Sequence, residues 1–224
     1  CENQSVIRGM RVYLVSEDWA FVSHRLPMAR AAREANYEVH VATRVAGCAH
    51  IIEREGFILH PLDWRRGSIN PLHILSTVVT LRRLFQRVKP DIIHSVSVAP
   101  VLVGAIAALG LQIARLNALI GLGFIFTSMT PKAKLLRPIA VRLITFFLKR
   151  PGSTVLVQNA DDGAQVEQLG IPKDCIVLIP GSGVDVDVLK ALPEPTNPFT
   201  VGFVGRLLYD KGVESLVIAH EILA

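Results

Sequence analysis

The residues best suited to chemistry lie in the string Val204-Gly-Arg-Leu-Leu-Tyr-Asp-Lys-Gly-Val213. Residues 200–204 read as a strand that ends at Gly205, and a helix is expected to open near Gly212. Arg206 and Lys211 then stand in a short loop beside a helix N-terminus, at the carboxyl end of a sheet strand. Diphosphates bind well at such a point, because unpaired backbone N–H groups and the helix dipole both favour an anion. Arg adds a fork of donors and Lys a point charge, enough together to neutralise a departing pyrophosphate without a metal. For any such pair taken alone, two solvated loop cations are the competing reading. Histidines come next. His24 stands beside Arg25 at the start of a helical pattern facing a cleft, and His94 closes a short strand. Strand ends of that kind border the crevice where α/β sheets bind ligands. The alternatives are a capping or core role for His24 and a packed role for His94. His40, His50, His60, His73 and His220 have no metal-type spacing, so neither metal nor cofactor is expected.

The scaffold for these residues is legible as alternating apolar runs and helical patterns. Strands are expected at 11–15, 39–43, 58–62, 91–94, 116–120, 154–158 and 175–179. Helices are expected at 21–35, in a short piece ending near Gly56, and at 71–89, 100–109, 133–149 and 160–169. Pro71 suits a first helical turn, Pro90 stops that helix, and Gly110 closes the next. This order specifies an α/β fold, a Rossmann-like parallel sheet with helices on both faces. The segment Leu192-Pro-Glu-Pro-Thr-Asn-Pro198 carries three prolines and reads as a linker. Residues 1–9 are expected to be a disordered leader, since Met10 is the first residue able to start translation. The first domain then spans 10–191 and the linker 192–198. Residues 199–224 are the first β–α unit of a second Rossmann-like domain, truncated because one strand and one helix bury no core.

Composition excludes several classes. Half of the 224 residues are apolar and 19% are charged, which rules out an intrinsically disordered chain. Cys1, Cys48 and Cys175 form an odd, scattered set without a CxxC pair, as expected for reduced thiols in the cytoplasm. No N-terminal stretch has the pattern of a secretion signal. Charge is unevenly spread: residues 64–160 hold 13 Lys or Arg against one acid, Asp91, while the remainder holds 11 basic and 18 acidic residues. A basic edge of this kind suits phosphates or anionic lipid heads. Its cations alternate with aliphatic residues and lack the aromatic interleaving of base-stacking modules, so nucleic acid is not the expected partner. Residues 92–114 carry no charge and are long enough to span a bilayer, yet Pro100 and Gly110 punctuate them as a buried strand–helix unit. Lys132, Lys134, Arg137 and Arg142 flank an apolar helical stripe, a pattern that lies on anionic membrane surfaces. A domain helix with a solvated basic edge is the alternative.

The string 204–213 closely resembles the GRL…DKG signature opening the C-terminal domain of family-four retaining glycosyltransferases. Its prelude, Ile179-Pro-Gly-Ser-Gly-Val-Asp185, is similar to the family's GSGVD loop before the domain crossover. Ser16-Glu-Asp-Trp-Ala-Phe-Val-Ser-His-Arg25 looks like the first-strand loop of the bacterial surface-polysaccharide branch, which includes lipopolysaccharide synthesis. Gly121-Leu-Gly-Phe-Ile-Phe126 is similar to that branch's GLG segment, and Val157-Gln-Asn-Ala-Asp-Asp162 to its QN turn. The matches run in order over residues 10–224.

The resemblance implies a GT-B fold, with nucleotide-sugar on the C-terminal domain and acceptor on the N-terminal one. Carried over by position, Gly205, Arg206 and Lys211 hold the donor diphosphate. Asp18, Phe21, His24, Arg25, His94, Gly121, Gly123 and Asn159 fall on the acceptor side, and Gly181, Gly183 and Asp185 in the hinge loop. The implied reaction is metal-independent, retaining hexosyl transfer, with a UDP-sugar as donor and a polyprenyl-diphosphate-linked sugar as acceptor. It takes place at the inner face of the plasma membrane. The family's Glu-x7-Glu donor element would lie beyond Ala224, so this chain alone is expected to be inactive.

Three rivals remain. A dinucleotide enzyme wants GxGxxG after its first strand, and 16–23 contains no glycine. A sugar-nucleotide 2-epimerase shares the GT-B architecture but wants carboxylates and histidines in its cleft. A non-catalytic chain that only binds the membrane surface is the rival from another class.

Overall fold

Strand β1 (Gly9–Glu17) sits in the middle of a sheet and is apolar toward both faces. Val12 and Leu14 point one way, Tyr13 and Val15 the other, and all four are buried. Such a strand belongs in a parallel sheet covered on both sides. The computed structural model describes residues 9–65, 70–120, 131–181, 183–194, 200–205, 207 and 212–223, with backbone alone at 131–137 and 223. The other strands of the sheet are β2 (Tyr37–Arg44), β3 (Ile58–Pro61), β4 (Ile92–Val96), β5 (Ala114–Ala118), β6 (Ser153–Val157) and β7 (Ile176–Leu178). The sheet order is β3-β2-β1-β4-β5-β6-β7, every pair parallel.

Register assigns the two faces. Tyr13 is opposite Val41 on one side and His94 on the other, and His94 is opposite Leu116. Over this face pack α1 (Asp18–His24), α2 (Leu26–Glu34) and α3 (Ala49–Arg54), through Phe21, Ala29, Ala32 and Ile52. The opposite face carries α4 (Pro71–Val88), α5 (Val98–Ala107) and α6 (Pro131–Leu148). Leu81 and Phe85 of α4 meet Val12, Leu14 and Ile93 there, and Ile144 and Leu148 of α6 meet Val155 and Val157. Burying each of these large side chains is worth about 2 kcal/mol. Gly104 lets α5 close on the sheet: a Cβ there would stand 2.8 Å from a Leu14 methyl and 3.0 Å from Ser95 Oγ.

Local chemistry explains most boundaries. Asn70 caps α4 by accepting from the Leu72 N–H at 3.0 Å, and Lys89 ends it in a left-handed conformation. Asn159 caps α7 (Ala160–Gln168), whose first turn holds Asp161 and Asp162 beside the positive helix end. The expected single helix at 21–35 is instead two, α1 and α2, joined at Arg25. Pro27 has no N–H for an upstream carbonyl, and it sits in the first turn of the new helix, where none is needed. The charge-free run 92–114 is strand β4, helix α5 and the approach to β5. Among the described residues no helix is long and apolar enough to cross a membrane.

The chain divides into two compact units, Cys1–Gly183 and Val184–Ala224. The second contains helix α8 (Val213–Leu223). Residues 200–204, expected as a strand, have no strand assignment. A strand is defined by the ladder it shares, and no described residue of that unit offers a neighbour to pair with.

Candidate functional site

The crevice that such a sheet offers lies where the strand order reverses. From β1 the chain turns to α1 on the Tyr13 face, and from β4 it turns to α5 on the Leu14 face. The two connections diverge and open a crevice at the carboxyl ends of β1 and β4. Ser97 ends β4 at φ 76 and ψ 161, a region that is almost exclusively glycine's. Its N–H donates to the Ala118 carbonyl at 2.9 Å, tying the end of β4 to the end of β5. Asn159 stands at the end of β6, where Oδ1 accepts from the Asp162 N–H at 2.7 Å and Nδ2 donates to Asp162 Oδ2 at 3.0 Å.

The first loop splits its polar residues between inside and outside. Asp18 is fully buried, and its Oδ2 accepts from the backbone N–H groups of Ala46, Gly47 and Cys48 at 2.8, 3.0 and 2.7 Å. Oδ1 accepts from the Trp19 N–H at 2.8 Å. Burial works against the charge, but these four donors outweigh it and hold the carboxyl below its ordinary pKa. Asp18 therefore ties the end of β1 to the loop after β2 and has its carboxylate turned inward. Glu17 does similar work beside it, paired with Arg44 at 3.3 Å. Phe21 also faces inward, edge-on to Tyr13 and Phe57. On the outer side of α1, Trp19 and His24 are exposed, with rings 6.5 Å apart.

Arg25 and His94, sought at the cleft, are instead 2% and 0% exposed. The His94 ring lies 4.9 Å from Tyr13, and neither of its nitrogens has a partner among the described residues. Burial first, then the charges of Arg25 and Arg11, push His94 down to about 3, so it is neutral. Burial also raises the Tyr13 hydroxyl and lowers Arg25. The packed alternative for His94 is thus the one the structure adopts, because it sits within β4 rather than past its end. A pH effect follows. Unfolded histidine takes up a proton near pH 6.5 and the folded His94 does not, so stability falls as pH drops through 6.5 toward 3. Between pH 7 and 5 this amounts to about 2 kcal/mol. His60, pushed to about 4 by burial and then by His40 and Arg87, acts in the same direction. Urea unfolding at both pH values checks it: His94→Phe should flatten the dependence, and an unchanged slope would remove His94 from the account.

Other expected site residues are placed as follows. Gly181 and Gly183 take φ 60 and 67, a left-handed region that glycine adopts without strain, which explains the residue type in this loop. Asp185 Oδ1 accepts from Asp187 N–H at 2.9 Å and turns the chain there. Gly205 lies in a bend. Arg142 is exposed on α6 beside exposed Ile139, Leu143 and Phe146. Gly121, Gly123, Arg206 and Lys211 lie outside the described residues, as do the side chains of Lys132, Lys134 and Arg137. Sequence reading passed over Tyr13, Glu17 and Ser97. Tyr13 reads as one more apolar strand residue, and nothing in the serine at 97 announces its backbone angle.

Comparison with known proteins fits this geometry. The family model described as glycosyl transferase 4-like matches residues 12–159. Sucrose-phosphate synthase from Thermosynechococcus elongatus superposes with a TM-score of 0.70 at 16% identity, over 95% of this chain and 59% of that one. The Anabaena protein HepE, solved with UDP and glucose, gives 0.59 at 14% identity over 83% and 47%. UDP-GlcNAc 2-epimerase from Methanocaldococcus jannaschii gives 0.55 at 15% identity over 75% and 44%. The chain thus spans about half the length of these structures, and at such identities the likeness is one of fold. No curated protein sequence matches it significantly. With a seven-stranded parallel sheet of the GT-B type and a family match over most of its first unit, the chain belongs to the glycosyl transferase 4-like family.

Proposed function

We propose that the protein moves a hexose from a UDP-sugar to a polyprenyl-diphosphate-linked saccharide in bacterial surface-polysaccharide synthesis, with retention and without a metal. The observation that carries this reading is the reversal of strand order between β1 and β4 in a chain of this transferase family. UDP in the HepE structure supports the choice of donor. The acceptor falls to the first unit, where exposed Trp19 and His24 border the end of β1. The donor diphosphate falls to Arg206 and Lys211. In the reaction the acceptor oxygen bonds to the anomeric carbon as the bond from that carbon to the diphosphate oxygen breaks. The acceptor's proton passes to the departing phosphate, whose negative charge the two cations stabilise.

The acceptor's lipid anchor places the reaction at the inner face of the plasma membrane. Exposed Ile139, Leu143 and Phe146 form a stripe on α6 with Arg142 beside it, and no acidic residue occurs in that helix. Replacing Lys132, Lys134, Arg137 and Arg142 by Gln should reduce co-sedimentation with anionic liposomes at least tenfold. Equal co-sedimentation would sink the membrane-surface reading.

The epimerase likeness favours a second reading, and nucleotide release separates the two. With the complete gene product, a transferase frees UDP only when lipid-linked acceptor is added. Conversion of the UDP-sugar to its 2-epimer without acceptor, with no net release of UDP, would favour the epimerase.

A further inference from the structure

At the amino-terminal edge of the sheet, opposite the crevice, lies a cavity of about 550 Å3 lined by residues 108–115 and 150–152. Two cations, Arg115 and Arg150, line it, and none of its lining residues is acidic. Arg115 Nη2 donates to the Pro151 carbonyl at 2.8 Å, which fixes the guanidinium plane. Its Nε is buried with no acceptor among the described residues. Arg150 is steadied from the other side, with Cζ 5.7 Å from the Phe146 ring centre. Among the described residues neither arginine has an ion-pair partner. A smaller cavity of about 260 Å3 shares residues 111–113 with the first and adds Lys89 to the rim.

A buried donor with no acceptor among the described residues is unfavourable, and two like charges on one cavity repel, so the arrangement favours an anion. Burial first and Arg150 second lower Arg115's pKa, the direction expected where a counter-charge is missing. Phosphate matches the donors, since its oxygens accept from guanidinium forks. The cavity is far larger than a bare phosphate, which leaves space for an esterified organic group. Arg150, on its rim, lies against exposed Phe146 of the apolar stripe of α6, as a lipid headgroup would require.

We propose that Arg115 and Arg150 form a phosphate-ester site at the amino edge of the sheet, separate from the transfer crevice and suited to the headgroup of an anionic membrane lipid. It does not depend on the transferase reading. Calorimetric titration of the 224-residue chain with dihexanoyl phosphatidic acid, kept below micelle formation, and with inorganic phosphate tests it. Saturable binding is expected, weakened at least tenfold by Arg115→Gln and by Arg150→Gln and partly restored by Arg150→Lys. Half-buried Arg150 holds no backbone group through its side chain among the described residues, so its variant keeps the test valid if Arg115→Gln fails to fold. Phosphatidate binding tenfold tighter than phosphate identifies a lipid headgroup as the source, and equal binding a free phosphate ester; either keeps the site. No saturable binding of either probe, or binding that Arg150→Gln leaves unchanged, overturns it. Phosphate held at Arg206 and Lys211 would be indifferent to that variant.

Discussion

Alanine in place of Asp18 is expected to lower stability by about 3 kcal/mol, the largest loss from any single polar side chain described in the first unit. The carboxylate accepts from Trp19 and from three consecutive N–H groups, at Ala46, Gly47 and Cys48, and is fully buried. Hydrogen bonds to a charged group contribute about 1.5–3 kcal/mol each, and orphaned buried donors cost a similar amount. These losses do not add, because a loop freed of its anchor can admit water. Asp18→Asn keeps one acceptor oxygen and should fall between wild type and Asp18→Ala. The carboxyl's folded pKa lies below its ordinary value, so the stabilisation is complete above about pH 4 and is lost as pH falls through the folded pKa. Urea unfolding should therefore show a full gap between wild type and Asp18→Ala at pH 7 and a narrowed gap at pH 3. A difference under about 1 kcal/mol at pH 7 would mean that the loop after β2 holds itself.

The same experiment reads the neighbouring ion pair of Glu17 and Arg44 as a smaller effect, since Arg44 is half exposed.

The second large effect concerns transfer itself. Arg206→Ala and Lys211→Ala are each expected to slow sugar transfer about 100- to 1,000-fold in the complete gene product, the range for removing one donor that stabilises transition-state charge. The leaving diphosphate gains negative charge as its bond to the sugar breaks, so the loss should fall on kcat more than on KM. Arg206→Lys keeps the charge and loses the fork, and should recover part of the rate. Both residues lie outside the described ones, and the expectation rests on their spacing in the string 204–213. Rates within threefold of wild type in both alanine variants would remove them from the donor site.

Most of the first unit was legible because its signals are local. Asn70 and Pro71 open α4 and Pro90 follows its end, and the apolar runs around Val12, Val41 and Val155 are all sheet strands. The break at Arg25 was missed because the apolar pattern continues through Pro27, although that proline's missing N–H was the available clue. Residues 200–204 form no strand among the described residues for a different reason: a strand depends on neighbours far away in sequence, and apolar composition alone does not supply them.

The candidate site was less legible than the fold. Residue type and strand-end position brought Asp18, Arg25 and His94 forward, but which way each side chain turns depends on tertiary packing. Asp18 found backbone donors from the β2 loop 28 to 30 residues away, and His94 found Tyr13 across a strand pair. His24, the last residue of α1 and one position before Arg25, turned outward. The arginine pair at the amino edge escaped notice because Arg115 and Arg150 are 35 positions apart and meet only when β5 and β6 pair.

The central claim, sugar transfer to a lipid-linked acceptor, is tested most directly by incubating the complete gene product with membranes carrying that acceptor and with radiolabelled nucleotide-sugars. Label from a UDP-sugar should enter the lipid fraction, and omitting the acceptor should abolish its incorporation. Folded, membrane-bound protein that transfers no label from any donor would contradict it and leave the non-catalytic reading in its place.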